Sequence, residues 1–357
     1  MCGFAGIFAY SNNAPPVLET ELLRIRDQMF HRGPDGEGLW ISADKRVGLG
    51  HRRLSIIDLS ENGAQPMASL DGRYQIIFNG EIYNFKELRS ELKPQGINFR
   101  GNSDTEVLLN LYALKGEAMC SSLRGMYAFA ICDNLTQSIF LARDPFGMKP
   151  LYWHDDGQTI RFASQVKALL AGGGIKPESE PAGVVGYWIW GSVPDPFTLY
   201  KDLLSLEPGT WLKIERDGKR ESGSFQSLFG LFSKSTRVTS NYSNLREALL
   251  DSVQAHLVSD VPVGIFLSAG IDSSTILGLA AECGTPLRSI TLGFKEFQGT
   301  NSDETVLAEL VAKKYGIKQD TVWITKKDFE DKLKHYMSSM DQRKRVANTC
   351  RILLDLC

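Results

Sequence analysis

The chain has 357 residues, 43% hydrophobic and 23% charged, with a formal net charge of −2 at pH 7. That length accommodates two domains with a well-buried core in each. The near-balanced charge leaves no strong field to favour nucleic acid or an anionic membrane surface, and neither is expected as a partner.

The first ten residues, MCGFAGIFAY, alternate apolar and small side chains and predict a buried strand. If Met1 is removed, Cys2 becomes the amino terminus and one residue carries both a nucleophile and a base. The thiol, with an ordinary pKa of about 8.5, is only a few per cent thiolate at neutral pH, and the α-amine, at about 7.7–8.0, can accept its proton. Such a cysteine can attack a carboxamide carbon, form a thioester and release ammonia. The alternative is an incidental thiol in a hydrophobic strand. The patch has no basic leader and soon meets Ser11, Asn12 and Asn13, and no apolar run of transmembrane length follows; a cytoplasmic protein is expected.

Residues 17–30 place Leu18, Leu22, Ile25 and Met29 at helical spacing. The cluster His31-Arg32-Gly33-Pro34-Asp35-Gly36 predicts a turn. Val47 to Asp58 (VGLGHRRLSIID) opens as a strand carrying Arg52 and Arg53. Gln75 to Phe78 is a short apolar strand that stops at Asn79-Gly80. Ser103-Asp104 opens a helix with Val107, Leu108, Leu111 and Leu114 on one face. An arginine, an Asn-Gly backbone and an aspartate suit a zwitterionic amino acid: arginine for the α-carboxylate, aspartate for the α-ammonium, Asn and neighbouring amides for a tetrahedral oxyanion. Spacing alone does not bring them together.

The segments MCGFAGIF, HRGPDG, HRRLSIID, FNGEIYN and SDTE, in this order and at these intervals, closely resemble the glutaminase domain of class II (N-terminal-nucleophile) glutamine amidotransferases. RGMYAFAICD, LARDPFGMKPLYW and FASQVKALL resemble the asparagine synthetase branch, which hydrolyses glutamine. The resemblance covers roughly residues 1–342. It implies an α+β four-layer αββα sandwich over residues 2–210, with Cys2 as nucleophile and Asn79 and Gly80 as the oxyanion site. It also implies glutamine binding by Arg53, Leu54, Ser55, Ile56 and Ile57, by Asn79, Gly80 and Glu81, and by Asp104. Gln165 departs from the glutamate usual in the family's FASE, with no consequence assigned.

Ser205 to Gly218 reads as a last hairpin, and residues 211–240 as hairpin end and serine-rich linker with one apolar island, Leu228 to Phe232. The second domain, 241–342, opens with a helix over Asn244 to Asp260 in which Asn244 and Glu247 form a candidate capping pair. Val263 to Leu267 is a fully apolar run typical of a buried parallel strand. It leads into Ser268-Ala269-Gly270-Ile271-Asp272-Ser273-Ser274 and a further helix, a strand–loop–helix geometry that can hold phosphate. This is not a Walker loop. It resembles the SGGxDS loop of enzymes that split ATP into AMP and pyrophosphate, with Ala269 in place of a glycine. The resemblance implies a partial doubly wound α/β domain of ATP-pyrophosphatase type. ATP binding is expected at Leu267, Ser268, Ala269, Gly270, Ile271, Asp272, Ser273 and Leu292, with Mg²⁺ accompanying ATP and no metal site of the protein's own.

The six cysteines (Cys2, Cys120, Cys132, Cys283, Cys350, Cys357) show no CxxC pair and no zinc spacing, and the five histidines are scattered. From Arg343 the tail RKRVANTCRILLDLC leaves the family pattern, whose second phosphate-side motif, SGxGxDE, is not met; a shifted reading frame or premature stop near Gln342 is the expectation. The function expected is glutamine-dependent amidation of aspartate through a β-aspartyl-AMP intermediate, with glutamine, aspartate and ATP as small-molecule substrates and a homodimer as a candidate assembly. The alternatives are another carboxylate acceptor, or a glutaminase-only or non-catalytic partner protein.

Overall fold

The computed structural model describes residues 1–233 and 242–342. These divide into two compact units, one holding residues 1–233 with Asp341 and Gln342, the other residues 242–340; the tail from residue 343, and the linker positions 234–241, lie outside the described residues.

The first unit is built on β1 (Gly3–Ala9), every residue of which is buried. Its alternation sorts side chains to two faces. Phe4 and Phe8 enter one core with residues from both large sheets, whereas Ala5, Ile7 and Ala9 enter a second core under the helices. Burying each of the large apolar side chains contributes roughly 1.5–3 kcal/mol. The first helix, α1 (Glu19–Asp27), presents Leu22 and Ile25 to that second core.

The remaining strands of the unit are β2 (Gly36–Ile41), β3 (Val47–Arg53), β4 (Met67–Ala68), β5 (Tyr74–Ile82), β6 (Gly125–Asp133), β7 (Ser138–Arg143), β8 (Tyr152–Asp155), β9 (Thr159–Ala163), β10 (Leu203–Ser205), β11 (Thr210–Ile214) and β12 (Arg220–Ser224). They form two six-stranded antiparallel sheets, ordered β10-β8-β9-β1-β3-β2 and β12-β11-β7-β6-β5-β4. The inner faces of the two sheets share one core: Phe4, Leu49 and Phe162 from the first meet Ile77, Ala130, Leu141 and Ile214 from the second. Outside the first sheet lie α1 and α4 (Val166–Ala171). Outside the second lie α2 (Phe85–Leu92) and α3 (Asp104–Lys115), where Tyr112 meets the rings of Tyr74 and Phe140. This is the expected αββα sandwich.

Several boundaries differ from the sequence reading. Ser205 ends β10 in the first sheet, and the last hairpin is β11 and β12 in the second, turned at Asp217-Gly218 where Gly218 takes a φ of +82°. The second sheet therefore continues to Ser224, past residue 210, because β11 still pairs with β7. Leu114, expected on the buried face of α3, is 47% exposed. The apolar island is a short helix, α6 (Leu228–Ser233), and α5 (Pro181–Trp190) is a further helix of this unit.

In the second unit α7 (Tyr242–His256) already runs at Asn244, so that residue lies inside the first turn and not at a cap. A parallel sheet follows, β13 (Val263–Phe266), β14 (Leu287–Phe294) and β15 (Lys318–Ile324) in that order, joined by α8 (Ile271–Glu282) and α9 (Thr305–Lys314) and closed by α10 (Lys326–Ser339). Strand–helix alternation with parallel pairing is the expected α/β pattern. Leu267, Leu277, Ala308 and Ala312 form its core. The run Val263 to Leu267 is less buried than its composition suggests: β13 is an edge strand and Phe266 is 49% exposed. No helix among the described residues is long and apolar enough to cross a membrane.

Candidate active site

Cys2 stands immediately before β1, in the middle of the first sheet, and the chain turns it towards the start of the RLSII segment. Its sulfur accepts a hydrogen bond from the Leu54 amide at 3.3 Å and its thiol donates to the Leu54 carbonyl at 3.5 Å. Arg32, from the HRGPDG turn, donates to the Cys2 carbonyl at 3.0 Å. The turn fits closely because Gly33 packs on the Arg52–Arg53 backbone, where a Cβ would fall on the Arg52 carbonyl. Burial raises the Cys2 thiol pKa, while the Leu54 amide, the terminal amine and Arg53 work in the opposite direction. The terminal amine, here that of Met1, is lowered to about 6, chiefly by burial, with the charges of Arg32 and Lys149 acting in the same direction. An amine so placed is largely unprotonated at neutral pH and can take a thiol proton.

Across a shared pocket from Cys2, the second sheet delivers Asn79, Gly80 and Glu81 at the end of β5. Asn79 is 1% exposed, and neither Oδ1 nor Nδ2 has a hydrogen-bond partner among the described residues. A buried amide left unsatisfied costs of the order of 1–3 kcal/mol, so its orphaned atoms point to a ligand. Gly80 pairs with Tyr127 in β6, and a Cβ at residue 80 would fall on the Met126 carbonyl. No larger residue fits there without opening the sheet.

Two charged side chains also line the pocket. Asp104, first residue of α3, is buried and accepts from the Ile82 amide at 3.1 Å; burial, reinforced by Glu81, raises its pKa to about 7. Arg53 donates to the carbonyls of Ser60 (2.9 Å), Ile57 (3.5 Å) and Asp58, clamping the loop that walls the pocket. Three carbonyl bonds out of five N–H groups leave two for a ligand carboxylate.

Of the residues singled out for glutamine, Cys2, Arg53, Leu54, Ile56, Ile57, Asn79, Gly80, Glu81 and Asp104 all line this pocket, and Ser55 does not. The Ser55 amide instead donates to Asp35 at 2.8 Å and ties the RLSII segment to the HRGPDG turn. Sequence reasoning missed Gln65, whose Oε1 accepts from the Phe78 amide at 2.6 Å and whose Nε2 donates to Thr105 at 3.2 Å. It also missed Lys149, which lines the pocket from the loop after β7. Lys149 lies in the LARDPFGMKPLYW motif, so the signal was present but its direction was not. His51 is fully buried, donates from Nε2 to the Phe78 carbonyl at 3.0 Å, and burial lowers its pKa to about 4; it is a neutral structural residue.

Residues 1–225 match the family described as "Glutamine amidotransferase domain", and residues 244–357 that described as "Asparagine synthase". "Asparagine synthetase [glutamine-hydrolyzing] 1" of Bacillus subtilis (strain 168) is 40% identical over 337 residues, 93% of this chain and 52% of its own length. "Putative asparagine synthetase [glutamine-hydrolyzing] 2" of Methanocaldococcus jannaschii is 32% identical over 96% of this chain and 68% of its own length. The chain belongs to the asparagine synthetase family of glutamine amidotransferases. It spans about half the length of several of the curated relatives it matches. Among solved structures, the glutamine phosphoribosylpyrophosphate amidotransferase of B. subtilis overlaps at 19% identity and a TM-score of 0.47, over 90% of this chain and 65% of that one.

In this asparagine synthetase-family chain, the loop expected to hold ATP lies at the carboxyl end of β13. Leu267 continues the parallel ladder by donating to the Ile290 carbonyl at 2.8 Å, and its own carbonyl accepts from Thr291 at 2.8 Å. The Ser268 and Ser273 hydroxyls lie 3.0 Å apart, and Ser268 Oγ accepts from the Gly270 amide at 3.2 Å. Gly270 is the N-cap of α8 and no side chain caps that helix, which leaves its first-turn amides available to an anion. Ile271 and Asp272 are exposed, and Leu292 sits in the central strand β14.

Proposed function

We propose that this chain is a glutamine-dependent asparagine synthetase, hydrolysing glutamine in the first unit and amidating aspartate with ATP in the second. The observation that carries the first half is the meeting, in one pocket, of Cys2 with the unpartnered Asn79 amide, Asp104 and Arg53. Glutamine would seat its α-carboxylate on Arg53 and its α-ammonium on Asp104 and Glu81. With Met1 removed, the Cys2 α-amine takes the thiol proton, and the thiolate attacks the side-chain carboxamide carbon. Asn79 Nδ2 and the Gly80 amide then donate to the oxyanion. Collapse to the thioester expels ammonia, the α-amine returning the proton, and water releases glutamate.

In the second unit, Leu267 to Ser273 with Leu292 would bind ATP. Attack of the aspartate β-carboxylate on the α-phosphorus gives β-aspartyl-AMP and pyrophosphate, and ammonia displaces AMP to give asparagine. Mg²⁺ would arrive with the phosphates: no group of three or more metal-ligating side chains is assembled among the described residues, whereas Asp272 offers one exposed carboxylate beside the loop. When bound, the ion supplies charge neutralisation to the phosphates. We assign the protein to the cytoplasm, working on small molecules.

The deciding experiment supplies the purified chain with glutamine alone, then with ATP, Mg²⁺, aspartate and ammonium, and measures glutamate, AMP and asparagine. Glutamate from the first mixture and equal AMP and asparagine from the second support the full reading. Glutamate without AMP reduces it to a glutaminase, and neither product overturns it.

A further inference from the structure

The loop after β7 is more elaborately braced than a connection needs to be. The carboxylate of Asp144, fully buried, accepts from four amides, those of Tyr127 (3.2 Å), Phe146 (3.0 Å), Met148 (2.9 Å) and Lys149 (2.9 Å). Arg143 donates to the Lys149 carbonyl at 2.9 Å and the Gly147 carbonyl at 2.9 Å. Gly147, at a φ of +62°, completes the reversal. Among the backbone positions this frame fixes is residue 149, whose side chain lines the pocket of Cys2. Lys149 is 5% exposed and lines the same pocket as Met1, Cys2 and Glu81. The frame thus holds a cationic side chain inside the pocket, where its charge acts on the groups around it.

We propose that Lys149 is a positioning residue of the glutaminase site, held by the Arg143–Asp144 frame so that its charge lies in the pocket shared by the amino terminus and Cys2 and acts on the base and nucleophile there. This inference rests on the glutaminase reading above. The charged and titratable groups acting on Lys149 are Glu81 from β5, Arg32 from the HRGPDG turn, Cys2 before β1 and Asp144 in its own loop. Arg32 shares its sign and adds to its effect on the amine, whereas Glu81 opposes it. An amine of lowered pKa takes the thiol proton at neutral pH and, once protonated, returns it readily to the departing ammonia. The same positive charge favours the thiolate.

The test measures glutamate release against pH for the wild type, Lys149→Met and Lys149→Arg, each checked for folding by circular dichroism. For Lys149→Met, the acid limb of kcat/KM is expected to move up by roughly 0.5–1 pH unit. In the same variant kcat should fall about three- to tenfold at pH 5 but at most about twofold at pH 7, with KM changing little, because the amide, Asp104 and Arg53 remain. Lys149→Arg should restore the wild-type limb. An unmoved limb in folded Lys149→Met, or a limb moved equally by Lys149→Arg, overturns the inference while leaving the glutaminase reading in place. No glutamate from the wild type at any pH overturns the reading itself. Should Lys149→Met not fold, Lys149→Gln serves, with the pH dependence of Cys2 alkylation by iodoacetamide as a second readout. Alkylation unchanged from wild type in that variant also overturns the inference.

Discussion

Cys2 and Leu54 are hydrogen-bonded in both directions, amide to sulfur at 3.3 Å and thiol to carbonyl at 3.5 Å. The amide favours the thiolate and the carbonyl holds the thiol, so the sulfur is kept at one position in either protonation state. A serine at residue 2 would keep the geometry but lose the nucleophilicity and acidity of sulfur. Cys2→Ser and Cys2→Ala are expected to lower glutamine hydrolysis at least about 10³-fold and to leave ammonia-supported amidation unchanged; glutamate and asparagine assays on the same preparation check both.

Asn79 should separate function from stability. Its polar atoms have no partner to lose among the described residues, so Asn79→Ala removes an unsatisfied buried amide, and the thermal midpoint should hold or rise. Removing an oxyanion donor costs about 10²–10³ in kcat. Turnover against the melting curve of the same variant tests the pair of outcomes.

Asp104 makes opposite predictions for binding and for folding. Its folded pKa of about 7 exceeds the unfolded value of about 3.9, so the folded state holds the proton more tightly. Its contribution to stability is therefore present below the unfolded value and is lost as pH rises through 7. Asp104→Asn, which keeps an acceptor for the Ile82 amide, should raise the thermal midpoint by a few degrees at pH 8 and change it little at pH 5. The same substitution should raise KM for glutamine more than tenfold by removing the partner of the α-ammonium. In the wild type, KM should climb as pH falls below 7.

Asp341 is the N-terminal cap of a helix far from it in sequence. Its carboxylate accepts from the Val166 and Lys167 amides at 3.0 and 2.9 Å, while Gln165, at the N-cap position of α4, makes no side-chain cap. Gln342 adds a bond from the Leu199 amide at 3.1 Å. Asp341→Ala should cost about 1 kcal/mol and accelerate hydrogen exchange at Val166 and Lys167, leaving the pH profile of glutamate release untouched.

Periodicity and turn chemistry made most of the architecture legible. β1, α3 and β13 could be placed from alternation, a serine cap and an apolar run, because local patterning decides such elements. The end of the sandwich was not: β11 and β12 are short and partly exposed, and only pairing with β7 assigns them to the second sheet. The site showed the same division. Residue types at Cys2, Arg53, Asn79 and Asp104 announced a zwitterionic amide, but their convergence is a tertiary fact. Lys149 sat within a recognised motif, but its direction, like the capping role of Asp341, is set by where a distant backbone places it, and contacts between residues far apart in the chain leave no local signature.

The pocket belongs to neither sheet alone. Cys2 leads into the first sheet, while Asn79 and Gly80 lie towards the end of a strand of the second, and the two are held together by the packed layer of Phe4, Ile77, Leu141 and Phe162 and by the bond from His51 to the Phe78 carbonyl. Glutamate release is thus a gauge of tertiary assembly. Mild denaturant or a cavity in that layer, such as Phe162→Ala, that loosens one sheet against the other will silence turnover while far-ultraviolet dichroism still reports intact strands and helices.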